Sequence, residues 1–469
     1  MKTPHAKNAS FKRGKLSLLK VVKYAGFVIG AVILICVLIF IFSPDPFVNA
    51  FLKDRITKAV TDAYPASSIR IGTMHYNVWK NRLGCDSITL KTSHSALTCS
   101  VAPFSISGIG WMKILLQREF TPHTLTSSVI DAQNIAVKFH ESQTGLRLAM
   151  LHISVPDSEM TADSIKYYSL IDDEQFFAKS RFRQTRFRFD IPRLKIMGLD
   201  CFAMLQGNIY NARSITLRDV FADILVNMDK PYDRNSSNPQ MPNEALSSMK
   251  ETVKVDSVTI RNGRLKYCER YAVRAQPGVI AFNKVNVSVS GIANHTARLD
   301  TTVIHGEGMF LNSGTMKLFM AIPLTSRDFS LRYSGSLSTM DLTELNAFIE
   351  AGEHRRIKSG TLQSATYSVN VTSGHAIGSL RAVYKDVSIA ILNKTTGSDK
   401  GIFDRISSLF GKIFIIRGTN MPDAKGVMKI GEIKYTRDPG DYFLQYVWFA
   451  LRNGIADVVG FPKKILPDK

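Results

Sequence analysis

The sequence predicts a mainly β protein: a single N-terminal transmembrane helix, then an elongated antiparallel sheet of repeating units with a few short helices, and a helical C-terminus. Three observations carry that reading. An uncharged apolar run stands near the start, polar–apolar alternation fills most of the 469 residues, and the period changes near the end.

The apolar run is AGFVIGAVILICVLIFIF, residues 25–42. As a helix at about 1.5 Å per residue it covers ~27 Å, close to the ~30 Å hydrocarbon core of a bilayer. Lys2, Lys7, Lys12, Arg13, Lys15, Lys20 and Lys23 precede it with no acidic residue among them, and Ser43-Pro44-Asp45-Pro46 stops it. Basic flanks stay in the cytoplasm. Residues 1–23 then form a cytoplasmic tail, 24–43 a signal anchor, and the rest lies across the membrane. A cleavable signal peptide would share the small residues at Val48-Asn49-Ala50, but its apolar core runs only ~7–15 residues.

Residues 44–64 read as a juxtamembrane amphipathic helix, with Phe47, Phe51, Ile56 and Val60 near one face and Pro65 ending it. From 65 to 400 the period is two. Val285, Val287 and Val289 alternate with Asn286, Ser288 and Ser290. Val253, Val255, Val258 and Ile260 lead into Asn262-Gly263, and Leu265 and Tyr267 follow, the pattern of a hairpin. One-sided alternation without interleaved helices points to an antiparallel sheet that buries one face. The stretches 127–140, 212–226 and 255–269 share a Ser or Asp, alternating apolar residues, a polar turn and a second alternating strand, a degenerate repeat of one hairpin module. About 22–27 such strands at ~4.8 Å each would span ~105–130 Å in a single ladder.

Residues 228–246, rich in Pro, Asn and Ser, read as an exposed loop. Residues 341–353 read as a short helix with Asp341 and Glu344 at capping-box spacing. Residues 401–469 form a helical segment. Within it, 401–414 aligns Phe403, Ile406, Phe410 and Phe414, whereas 441–461 carries Gln445, Arg452, Asn453 and Asp457 and fits a packed or interfacial helix.

The net charge is +21, of which the tail holds seven, leaving +14 on the exported part. The stretch KSRFRQTRFRFD (179–190) interleaves Arg181, Arg183, Arg186 and Arg188 with Phe182, Phe187 and Phe189. In the cytoplasm such a stretch would suit nucleic acid. Across the membrane its partners are anionic lipid headgroups, acidic glycans or a membrane surface, and no nucleic acid is expected. A strand with phenylalanines on one face and solvated arginines on the other explains the same alternation.

Chemistry is sparse. The histidines are scattered without zinc-site spacing, and no Gly-x-Ser-x-Gly elbow occurs. Gly306-Glu307-Gly308 stops short of a dinucleotide loop and reads as a turn, and Asp172-Asp173-Glu174 as a solvated acidic turn. No catalytic, metal or cofactor site is expected, and no enzyme. Cys36 falls in the anchor; Cys85, Cys99, Cys201 and Cys268 leave three full pairings, or free thiols, open.

Several segments in this order carry a family likeness: the anchor and the Phe-rich helix, Ile69 to Gly72 (IRIG), and Leu83 with Ile88 to Leu90. Met340 to Asn346 (MDLTELN), Ile357 to Leu362 (IKSGTL) and Gly378 to Val387 (GSLRAVYKDV) follow. The chain resembles the AsmA-like family of Gram-negative envelope proteins over most of its exported length. The resemblance implies an inner-membrane-anchored periplasmic protein whose strands stack into a curved apolar β-groove. It implies phospholipid or other acyl chains as ligand, a part in lipid transport and outer-membrane biogenesis, and possible envelope protein partners. Val285, Val287 and Val289 are the groove candidates, and Arg181, Arg183, Arg186 and Arg188 the anionic-surface candidates. A structural adaptor that recruits strands at its sheet edges, and an envelope glycan-active enzyme, are the alternatives.

Overall fold

In a computed structural model of the chain, residues 42–460 are described apart from 93–95, 111–121, 208, 234, 236–237, 296–300, 354, 393–398 and 403–416, with 31, 32, 34 and 38 before them. The basic tail and most of the anchor lie outside the described residues, as does the helix expected over 401–414 apart from Gly401 and Ile402, which end a strand. No described helix is long and apolar enough to cross a membrane.

The described residues form one 22-stranded sheet with helices around it. The first strands are β1 (Ser67–Ile71), β2 (Met74–Asn77), β3 (Arg82–Cys85), β4 (Ile88–Thr92), β5 (Leu97–Val101) and β6 (Phe104–Ser107). Longer ones follow: β7 (Val129–Phe139), β8 (Thr144–Ser154), β9 (Glu159–Ser169), β10 (Thr185–Met197), β11 (Ile209–Arg218) and β12 (Phe221–Asn227). The second half holds β13 (Thr252–Arg270), β14 (Gly278–Ala293), β15 (Thr302–Phe310), β16 (Gly314–Ile322), β17 (Leu331–Leu337) and β18 (Met340–Asp341). It ends with β19 (Arg355–Thr372), β20 (His375–Leu392), β21 (Asp399–Ile402) and β22 (Gly431–Thr436). The helices are α1 (Lys53–Ala63), α2 (Asp173–Ala178), α3 (Cys201–Gln206), α4 (Pro242–Ser247), α5 (Asn346–Glu353) and α6 (Phe443–Val459).

Several short strands are collinear halves of one longer path. β12 continues β11, for instance, and the two halves of β7 pair with β5 and β6. The ladder from β2 through β3, β6 to β11, β13 to β17, β19 and β20 to β22 is therefore sixteen strands deep. Fifteen intervals of ~4.8 Å make ~70 Å, shorter than a ladder with every strand side by side.

The Asn262-Gly263 hairpin is not formed. Both residues lie inside the continuous strand β13. A two-residue Asn-Gly turn needs positive φ at both positions, and here Asn262 alone has it, at +55°. Asn134, Ser164, Asp219 and Lys284 are left-handed too, with φ between +47° and +55°. They occupy matching levels in β7, in β9, between β11 and β12, and in β14, where the ladders lose a partner. Asn262 Nδ2 donates to Asp219 Oδ1 at 2.6 Å, joining two of these points. Each extra residue bends its strand, so the line forms a crease across the sheet. The repeated pattern of 127–140, 212–226 and 255–269 is thus real, but its polar centre is a bulge rather than a turn. Gly306 to Gly308, expected as a turn, lies within β15.

The sheet is mixed, not wholly antiparallel. β11 and β12 both run parallel to β13. Parallel neighbours need a long crossover, and residues 228–251 supply it. This accounts for the stretch expected as an exposed loop: its middle is exposed, but its far end carries α4 into the core, with Met241 fully buried. Arg437 Nη1 donates to Glu244 Oε1 at 2.6 Å and holds the Glu244 carboxyl below the usual carboxylate range. In the 341–353 segment Asp341 accepts from Thr343 N–H, a 3-10 turn (Leu342–Leu345) follows, and α5 begins only at Asn346.

At the N-terminus one turn (Asp45–Phe47) leads through a π-turn (Val48–Leu52) into α1. The wider π-turn rotates the helix face. Val48, Leu52 and Ile56 pack on Met74, Leu83 and Cys85. Phe47 and Phe51, expected near one face with Ile56, are 54% and 59% exposed while Ile56 packs on the sheet. Polar bonds fix this helix along β2. Asn49 exchanges two with Met74, and Asp45 accepts from Tyr76 N–H at 2.8 Å and lies 2.9 Å from His75 Nδ1. That carboxylate raises the His75 pKa.

At the other end α6 closes the largest core. Tyr446, Ala450 and Val458 pack on Tyr333, Val369, Leu380 and Ile433. Gly431 and Gly454 let strand and helix meet: a Cβ on Gly431 would collide with the Gly454 carbonyl. Gly431→Val should lift α6 from β22 and lower stability by about 2–3 kcal/mol, as overpacking does. An unchanged unfolding midpoint would show that α6 is not packed there.

Candidate functional site: an apolar trough along the crease

Every strand of the deep ladder turns an apolar face to the same side. Beside the crease, cross-strand partners run Phe104, Ala132, Leu151, Ala162 and Leu194, then Leu217, Ile260, Val287, Gly306 and Leu318. Two residues farther along each strand, Ile106, Ile130, Ile153, Met160 and Ile196 continue into Ile215, Val258, Val289, Ile304 and Met320. Across the crease, Cys99, Val137, Leu146, Tyr167 and Phe189 lead to Ala222, Leu265, Phe282 and Phe310. Between the first two rows, facing the opposite way, stand Ser105, Asp131, His152, Thr161 and Lys195, then Thr216, Thr259, Ser288 and His305. Since side chains alternate across a strand, the sheet has one apolar and one polar face over this whole width.

Helices cover the apolar face at its two ends, under the N-terminal turns and under α6. α3 packs along one rim, on Ile153, Met160 and Ile196, and α5 lies at the other, its Phe348 ring 6.4 Å from Tyr267. Between these, Leu151, Leu217, Ile260, Val287 and Val289 are half-buried, and no second sheet lies over them among the described residues. The bent, partly roofed face is a trough.

The structure places Val285, Val287 and Val289 on this face, opposite Gly263, Ile260 and Val258. On the opposite, polar face a hollow opens between two rows that include Thr259, Ser288 and His305 on one side and Asn286, Glu307 and Lys317 on the other, with Val287 and Gly306 in its floor. On the trough side Gly306 leaves room: a Cβ there would touch only Leu318 and Val287, at 3.7 and 3.9 Å. Tyr367 leans over Gly335, and burial pushes its hydroxyl up to about 12. Cys85 and Cys99 line the same face as free thiols, and burial raises the pKa of both. Cys201 and Cys268 are free as well.

The arginine stretch divides differently from expectation. Phe187 and Phe189 face the trough, their rings stacked with centroids 6.1 Å apart. Arg186 is on the other face but not in solvent: it is 3% exposed, with Nε 3.1 Å from Asp173 and Nη1 3.0 Å from Asp223. Buried between two carboxylates, it is no anionic-surface candidate. Arg188 donates to Asp173 at 2.7 Å, Arg183 lies partly buried beside the crossover, and Arg181 is exposed with its guanidinium over Phe182. The acidic run Asp172 to Glu174 is likewise no solvated turn. Asp172 caps α2, Asp173 takes the arginines, and Glu174 accepts from the buried Arg270 at 2.6 Å. This network clamps α2 onto the polar face, over Leu225 and Cys268.

Among the described residues no group of three or more His, Cys, Asp or Glu side chains could hold a metal ion. No protein-family model matches the chain, and no curated protein matches its sequence.

Proposed function

We propose that the trough holds lipid acyl chains, and that the protein is a membrane-anchored periplasmic lipid carrier of the AsmA-like kind serving phospholipid transport and outer-membrane biogenesis. One observation carries the reading: two adjacent apolar rows run through ten strands, roofed by helices at their ends and by α3 over part of one row, while Leu151, Leu217, Ile260, Val287 and Val289 stay half-buried. An apolar surface of that extent is rarely left to water. An acyl chain is uncharged, long and narrow, needs no hydrogen-bond partner and can lie along such rows. The apolar segment 25–42 sets the trough beside a source of such chains.

The alternation supplies its own control. A photoreactive side chain placed at Leu151 or Leu217, in cells grown with labelled phospholipid, should capture label. The same group at His152 or Thr216, one residue away on the polar face, should capture at least about tenfold less. Equal labelling from both faces would sink the carrier reading. Labelled protein in place of labelled lipid at Leu151 would favour the adaptor.

A further inference from the structure

The most exposed large apolar side chain among the described residues is Trp79, at 81%. It stands at the tip of the β2–β3 hairpin, and the tip is rigid. Asn81 Nδ2 donates to Ile109 O at 2.8 Å, Tyr76 Oη donates to Asn81 Oδ1 at 3.1 Å, and Asn77 Oδ1 accepts from Lys80 N–H at 2.9 Å. Its direction follows from the bonds to the first helical turns: Asn49 meets Met74 and Asp45 meets Tyr76, so β2 runs back along the helix towards its start. Two strand residues at ~3.3 Å match four helical residues at ~1.5 Å. Continuing from Tyr76, the tip passes Asp45 by roughly 7–10 Å, on the side from which the chain enters. There the apolar segment ends at Phe42, itself 76% exposed, with Phe47 and Phe51 bared beside it. Lys80, next to Trp79, is exposed, as is Arg82, whose guanidinium also bonds Ser105 Oγ and lies 3.6 Å from Asp131.

We infer that the Trp79 hairpin is a second membrane contact, inserted at the headgroup level of the bilayer that holds residues 24–43, so that the N-terminal end of the trough is seated on the lipid surface. Tryptophan, with an apolar body and one N–H, favours that level, and an adjacent lysine favours anionic headgroups. The other occupants of such a tip, a protein partner or plain water, lack the adjoining apolar segment that points to lipid. The inference rests on the anchor reading, not on the identity of the cargo.

The full chain with Trp111→Phe and Trp448→Phe keeps Trp79 as its one tryptophan. It would be reconstituted in phosphatidylethanolamine–phosphatidylglycerol vesicles containing phosphatidylcholine brominated at shallow or deep acyl positions. Carbonate extraction reads the anchor separately. The expected result is a carbonate-resistant chain whose Trp79 emission is blue-shifted relative to water, quenched more by shallow than by deep bromine and shielded from aqueous iodide. A resistant chain with Trp79 open to iodide and insensitive to bromine overturns the inference alone. Shielding from iodide without bromine quenching also overturns it, by placing Trp79 against protein. A chain extracted by carbonate overturns the anchor, and the inference with it.

Discussion

Arg186→Met should lower the stability of the protein by about 2–4 kcal/mol, read as a shift of the unfolding midpoint of the full chain in detergent. Arg186 is the shared partner of Asp173 and Asp223 and also donates to the Asp223 carbonyl oxygen at 3.0 Å. Removing one member of a buried ion cluster leaves the opposite charge without compensation, which destabilises by about 3–5 kcal/mol when burial is complete. The expected figure is lower for two reasons. Asp173 keeps Arg188, and its side chain is 30% exposed, whereas that of Asp223 is only 15% exposed. Asp223→Asn in the same chain should restore part of the loss, since the stranded charge is then gone. Arg186→Lys should fall between, because an ammonium cannot reach both carboxylates as the planar guanidinium does. Arg181→Met, on an exposed residue, should stay within ~0.5 kcal/mol of the parent. If Arg186→Met and Arg181→Met behaved alike, the cluster would not be buried.

Val287→Asp tests the trough. The carboxylate would project into the trough beside Ile260 and Gly306. In an open trough emptied of lipid it reaches water, so the fold persists with a loss of roughly 1 kcal/mol. Acyl chains beside it would meet a charge, and the phospholipid co-purifying with the protein should drop by about tenfold or more, the equivalent of ~1.4 kcal/mol. Gly306→Leu is the uncharged companion: it fills the trough floor beside Val287 and Leu318 without straining the backbone and should displace lipid with melting unchanged or slightly raised. Unfolding of Val287→Asp would mean a closed core. Full lipid content in both variants would mean that the ligand, if any, lies elsewhere.

Much of this was legible in the residues. The alternation of Val285, Val287 and Val289 gave the strand and its apolar face, because the side-chain period is a property of one strand. The continuity of the trough is a property of register between strands, and nothing in Ile130 announces Ile153 or Met160 as its neighbour. Asn262-Gly263 misled because the same two letters serve a turn or a bulge. The choice depends on whether the partner strands run straight past, as β11–β12 and β14 do here. The arginine stretch misled for a related reason: alternation fixes two faces, but burial of Arg186 depends on acids brought by α2 and by β12. Residues 228–246 have the composition of a loop, yet their far end forms α4 and enters the core. Their length is set by the parallel junction they bridge.

That junction has a consequence for how the chain acquires its structure. On either side of it most connections join antiparallel neighbours close in sequence, contacts that form early and fast. Strands up to β12 can therefore assemble while later residues are still being delivered, leaving the edge formed by β11 and β12 open. β13 must then pair with an edge from which it is separated by the whole crossover. The end of that crossover, Met241 and Glu244, is held by residues as late as Arg437. The chain thus consists of two meanders joined at one parallel seam, and the crossover that spans the seam is tied down by a residue close to the C-terminus.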